Sequence, residues 1–174
     1  MLRLFVGIEL PPEIKLRLSP LCAGVPGVRW VDPENHHVTL RFIGEVDEGT
    51  AGDIDAALAQ IKARRFEMAL AGVGQFGERA LWVGVEKNPA LVHLRDKIES
   101  AMVRHGLPPE GRRYAPHVTL ARLKGTSDER LHAYLRQHAL FRAQPFTVGH
   151  FSLVASYLTK SGAIYEDQAD YALG

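Results

Sequence analysis

Three features of the 174-residue chain predict an α+β fold. Strand-like segments follow one another without a helix between them, at 65–75 and 79–86 and again after residue 145, and strands joined in that way run antiparallel. Helical segments with apolar stripes of their own separate these pairs. The tetrapeptide His-Val-Thr-Leu occurs twice, 80 residues apart, with no Pro-, Ser- or Gly-rich linker between the copies. The expectation is one domain over residues 1–174, a pseudo-two-fold duplication of two intertwined lobes.

Each element has a local reason. Residues 2–9 alternate, with Leu4, Val6 and Ile8 on one face and Arg3, Phe5, Gly7 and Glu9 on the other, as in a half-buried strand. Pro11-Pro12 opens a helix carrying Ile14, Leu16, Leu18 and Leu21, which Gly24, Pro26 and Gly27 end. Residues 28–31 form a short strand, 32–35 a turn and 36–44 a strand. Residues 47–63 place Ile54, Ala57, Leu58 and Ile61 on one helical stripe. Two strands then flank the turn at Phe76-Gly77-Glu78. A helix over 89–105 carries Leu91, Leu94, Ile98 and Met102 and stops at Gly106. After a Pro-, Gly- and Arg-rich loop at 107–116 come a strand at 117–124 and a helix at 127–138 with Ser127 as its cap. Strands at 145–150, 151–159 and 163–172 close the chain.

Apolar residues make up 46% and charged residues 24%, a globular balance that argues against disorder, collagen and coiled coil. The longest apolar runs fall short of the ~18 residues of a membrane span, so no membrane association is expected. The single cysteine, Cys22, excludes an intramolecular disulfide and a cysteine-based zinc site. The simplest expectation is a cytoplasmic monomer. Net charge is only +1, so an anionic ligand is held by a few placed cations rather than by a broad positive field. No Gly-x-x-x-x-Gly-Lys-Ser/Thr loop supports P-loop chemistry, and the remaining histidines show no metal-ligand spacing, so neither metal nor cofactor is expected.

The repeat carries the chemistry. In a strand, side chains i and i+2 share a face, so His37 and Thr39 point one way while Val38 and Leu40 point into the core. His117 and Thr119 do the same in the second copy, and His36 points away from the pair. If the lobes face each other, two histidines flank one phosphate. Imidazole titrates near neutrality, so one can act as base and the other as acid, each contributing about 10²–10⁴-fold. Threonine hydroxyls can hydrogen-bond phosphoryl oxygens. By strict alternation Arg41 shares the face of His37, whereas Arg122 falls opposite His117 and reaches the site only through a bulge or the strand end. Phe5, on the polar face of its strand, is a candidate for stacking on a nucleobase. Arg112, Arg113 and Tyr114 precede the second copy and could clamp phosphates and stack a base, although exposed loop charge is their default reading.

On these residues the chain resembles the 2H phosphoesterase superfamily, and more narrowly its RNA 2′,3′-cyclic phosphodiesterase branch, the LigT or 2′-5′ RNA ligase-like type. The resemblance covers nearly the whole chain. It includes Arg3-Leu4-Phe5-Val6, Arg29-Trp30-Val31, Leu40-Arg41-Phe42-Ile43-Gly44, Pro116-His117-Val118-Thr119-Leu120-Ala121-Arg122 and Gly162-Ala163-Ile164-Tyr165-Glu166. The resemblance implies two antiparallel sheets around a central cleft, with helices outside. It implies His37, Thr39, His117 and Thr119 as the core site, with Phe5 lining the cleft. It further implies His37 as acid for the departing 3′-oxygen, His117 as base for water, and Arg122 as a phosphate contact. The substrate implied is an RNA end bearing a 2′,3′-cyclic phosphate, opened to a 2′-phosphate without metal. Two alternatives stay open: a reversible 2′-5′ ligase using the same site, and a module that binds RNA or nucleotide without turnover.

Overall fold

The computed structural model describes all 174 residues. The chain runs β1 (Leu2–Glu9), α1 (Pro12–Leu18), β2 (Arg29–Trp30), β3 (His37–Val46), α2 (Glu48–Ala59), β4 (Phe66–Met68), β5 (Leu70–Phe76) and β6 (Ala80–Val85). It continues through α3 (Pro89–Arg104), β7 (His117–Arg122), α4 (Asp128–His138), β8 (Phe146–Val148), β9 (His150–Thr159) and β10 (Gly162–Ala172). No helix is long and apolar enough to cross a membrane.

All strand pairs are antiparallel. One four-stranded sheet has the order β10-β9-β1-β3 and the other β2-β7-β6-β5, while β4 and β8 pair separately. The sheets approach each other along β3 and β7. They also exchange strands: β2, from the N-terminal part, pairs with β7, and β9 and β10, from the C-terminus, extend the sheet of β1. One cluster of 31 buried residues draws on both sheets and on α1, α2 and α3. A smaller cluster of Val25, Leu81, Ala121, Leu131 and Tyr134 is closed by α4.

Helix starts follow their capping chemistry. Asp47 accepts the Thr50 amide at 2.7 Å and Asn88 accepts that of Leu91 at 3.0 Å, satisfying donors the helices cannot use internally. Ser127 occupies the cap position of α4 but its hydroxyl caps nothing; Asp128 and Glu129 in the first turn complement the helix dipole instead.

Three expectations are corrected. The segment 65–75 is two strands in different sheets, broken at Ala69, because β4 pairs with β8 rather than with β6. The helix starting at residue 48 stops at Ala59, well before residue 63. β1 is not half-buried: Leu4 through Ile8 are all buried. Lying between β3 and β9, β1 is covered on its second face by side chains of the cleft, and alternation alone cannot report that cover.

Candidate active site

The two His-x-Thr copies fold alike. In both β3 and β7 the histidine and threonine are half-buried, the intervening residues are buried, and the sixth residue is exposed. Both strands also carry a bulge at the same step. On β3 the pairing jumps from Gly7↔Thr39 to Val6↔Arg41, and on β7 from Trp82↔Thr119 to Leu81↔Ala121. One residue, Leu40 or Leu120, is left unpaired, and the side chains that follow it change face; β3 shifts once more at Ile43, beyond Phe42. Phe42 and Arg122, each five residues after its histidine, are thereby returned to the face of the histidines.

Both imidazoles are oriented by the same device. His37 Nδ1 lies 2.7 Å from the Asn35 carbonyl oxygen, and His117 Nδ1 lies 2.8 Å from that of Ala115. A carbonyl only accepts, so each Nδ1 carries a proton and each neutral ring presents a basic Nε2. At His37 this Nε2 accepts from the Thr39 hydroxyl at 2.8 Å. The His37 ring stacks on Phe5 with centroids 4.6 Å apart and meets the edge of Tyr165. Gly7 permits this, since a Cβ there would come within 3.3 Å of both the His37 and the Phe5 rings. His117 rests on the edge of Phe76, 4.7 Å between centroids.

Both histidines and both threonines line one cavity of about 350 Å³, together with Arg122, Phe5, Phe42 and Tyr165. Its volume suits a mononucleotide-sized ligand. Burial pushes the His37 pKa below its ordinary value, opposed by the Asn35 carbonyl and reinforced by the positive charges of His117, Arg122 and Lys15. Burial likewise lowers His117, with Ala115 opposing and Arg122 reinforcing. Burial and the nearby positive charges both favour the neutral rings, and an anion in the cavity would oppose that preference. His36, buried with neither ring nitrogen hydrogen-bonded, is pushed down to about 4 chiefly by burial and stays neutral in the core.

The structure does not bring Arg41 to the cavity. The bulge turns it inward, where it is 8% exposed. Its Nε donates to Glu99 at 2.8 Å, Nη1 to the Phe42 carbonyl at 2.6 Å, and Nη2 to that of Pro108. Arg41 ties β3 to α3 and to the loop before β7. Arg41→Ala is expected to destabilise the fold by about 3 kcal/mol, the low end for breaking a buried ion pair. Denaturant unfolding measures that loss, and activity per folded molecule should change less than about threefold. Phe5 lines the cavity but is only 3% exposed beneath His37, so it has no free face for a base; the exposed aromatic ring is Phe42. Arg112 and Arg79 reach the rim. Arg113 does not, and Tyr114 instead donates to the Thr39 carbonyl at 2.8 Å, bracing the first motif from the second lobe.

Phe42, Phe76, Arg79 and Tyr165 were missed by sequence reasoning as site residues. A signal existed for Phe42: aligning the two copies residue by residue matches it to Arg122, and matches Arg41 to buried Ala121.

The chain is similar to known proteins over most of its length. The family model described as the 2′-5′ RNA ligase superfamily matches residues 31–159. The RNA 2′,3′-cyclic phosphodiesterase of Aeropyrum pernix is 39% identical over 158 residues, 87% of this chain and 89% of that protein. The protein of that name from Archaeoglobus fulgidus is 30% identical over 173 residues, 95% and 97% of the two chains. Among solved structures, E. coli LigT complexed with 3′-AMP superposes with a TM-score of 0.83 at 27% identity, covering 99% of this chain and 98% of that one.

Proposed function

The chain belongs to the 2′-5′ RNA ligase superfamily and is an RNA 2′,3′-cyclic phosphodiesterase, and we propose that His37 and His117 carry out the reaction as general acid and general base without a metal. The observation that carries this reading is the pair of equivalently anchored imidazoles lining one cavity with Arg122. The cyclic phosphate sits between them. His117 Nε2 takes a proton from water as its oxygen bonds to phosphorus. The bond from phosphorus to the 3′-oxygen breaks on the opposite side, and Nε2–H of protonated His37 delivers the proton to that oxygen. The product is a terminal 2′-phosphate. Arg122 and the two threonine hydroxyls hold the non-bridging oxygens as charge shifts onto them. The bound anion also supplies the charge that His37 needs to become protonated, which burial otherwise resists.

The complex of LigT with 3′-AMP supports a nucleotide as the class of ligand. An RNA substrate together with the free thiol of Cys22 suits the cytoplasm. An oligonucleotide ended in 2′,3′-cyclic phosphate, incubated in EDTA, tests the reading. Phosphorus NMR should show a 2′-monoester formed at the rate seen without chelator. A 3′-monoester would reverse which oxygen leaves, loss of turnover in EDTA would end the metal-free reading, and joining to a 5′-hydroxyl faster than hydrolysis would favour the ligase.

The pH dependence follows from the same geometry. Productive free enzyme has one proton on the pair of imidazoles. Both pKa values lie below the ordinary 6.5, so the bell for kcat/KM should have its alkaline limb below that value. The bound phosphate raises both, so the kcat bell should move to higher pH. Initial rates between pH 4 and 9 measure both profiles, and coincident bells would contradict the coupling to substrate charge.

A further inference from the structure

A second cavity, of about 590 Å³, adjoins the first across Phe5, Phe42, Arg122 and Tyr165. Its walls are Arg3 on β1, Arg29 on β2, and the β9–β10 hairpin, whose Leu158 and Ile164 are 74% and 56% exposed. The hairpin is tied to the first motif by Asn35, which donates to the Ala163 carbonyl at 2.8 Å. Neither Arg3 nor Arg29 takes part in an ion pair; every salt bridge of the protein involves Lys15, Arg41, Arg95 or Arg142. The only acidic side chain in the cavity, Asp32, accepts the Glu34 amide of its own turn. Two exposed guanidiniums without acidic partners, beside exposed apolar side chains, form a surface complementary to a phosphodiester and a base together.

Substrate chemistry gives the cavity its occupant. At a cyclic-phosphate end the 3′-oxygen is closed in the ring, so the chain can leave the active site only through the 5′-oxygen of the terminal nucleoside. We propose that this second cavity binds the preceding nucleotide: Arg3 and Arg29 hold the phosphodiester 5′ of the terminal nucleoside, and the Leu158 and Ile164 wall covers the preceding base. The inference rests on the phosphodiesterase reading and narrows its substrate to oligonucleotide ends over cyclic mononucleotides. The cation–π contact of Arg3 with the Phe42 ring, 6.0 Å to its centroid, places the guanidinium beside the aromatic face exposed to a terminal base.

Two measurements on wild type and the Arg3→Gln/Arg29→Gln double variant test this. The first is kcat/KM on 2′,3′-cyclic AMP and on a trinucleotide ended in 2′,3′-cyclic phosphate. Wild type should prefer the trinucleotide about tenfold or more. The variant should lose about tenfold on the trinucleotide and less than about twofold on the mononucleotide. Equal losses on both substrates, or none on either, overturn the subsite. The second is the affinity, by fluorescence anisotropy, of a trinucleotide ended in 3′-phosphate at several salt concentrations. The double variant neutralises one phosphate fewer, so its salt slope should be shallower by about 0.7. If wild type hydrolyses neither substrate, the phosphodiesterase reading fails, and this binding arm still decides the subsite: an affinity indifferent to the double substitution overturns it.

Discussion

His37→Ala and His117→Ala should each lower kcat by about 10²–10⁴-fold on a cyclic-phosphate-ended oligonucleotide while the protein remains folded. In the proposed mechanism the two groups act on one phosphorus atom, so the double variant should lose little more than the worse single one. The variants should differ in two readouts, stability and pH profile. His117 bonds no other side chain and is held by the Ala115 carbonyl and the rings of Phe76 and Trp82, so its removal should hardly change the melting temperature. His37 is stacked on Phe5 and bonded to Thr39, so its removal should cost about 1 kcal/mol of stability. A general base must be deprotonated, so losing it removes the acid limb of the pH profile; losing the acid removes the alkaline limb. His117→Ala should therefore flatten the acid side and His37→Ala the alkaline side. The reverse pattern would exchange the two roles, and near-wild-type turnover in either variant would remove the mechanism.

Arg122→Ala should lower kcat/KM by about 10²-fold, the smaller end of the loss seen when a charge-stabilising donor is removed from an active site. Stability should change by no more than about 0.5 kcal/mol, because the side chain is exposed and makes no ion pair in the free protein. Arg122→Lys should recover part of the loss, since it keeps the charge but not the planar fork that matches two phosphoryl oxygens. Removing a positive charge near both imidazoles also raises their pKa values, so the whole kcat/KM bell should move to higher pH. A variant with unchanged kcat/KM and an unmoved bell would place Arg122 outside the phosphate site. The contrast with Arg41 separates the arginines: substitution at Arg41 acts on unfolding free energy, and at Arg122 on rate.

Much of this was legible in the chain. The doubled His-Val-Thr-Leu, its apolar partners facing inward, and paired strands without intervening helices are local patterns with a period of two, and the structure keeps them wherever pairing is regular. The common anchoring of both rings by the carbonyl two residues upstream also belongs to the motif and its neighbours, although sequence reading did not extract it.

What alternation could not decide lies beyond the bulges at Leu40 and Leu120. A bulge is set by how a strand registers against its partner, here Val6-Gly7 on β1 and Leu81-Trp82 on β6, so a single strand's sequence carries no count of the skipped residue. That one step buried Arg41, exposed Phe42 and turned Arg122 toward the histidines. The cover over Phe5 is equally non-local, since His37 and Tyr165 come from strands far along the chain. Local pattern is enough to mark which side chains can do acid–base chemistry and that each His-Thr pair shares a strand face. Tertiary pairing settles which arginine lines the cavity and how strands exchanged between the two sheets meet beside it, because register and burial depend on contacts between segments distant in the chain.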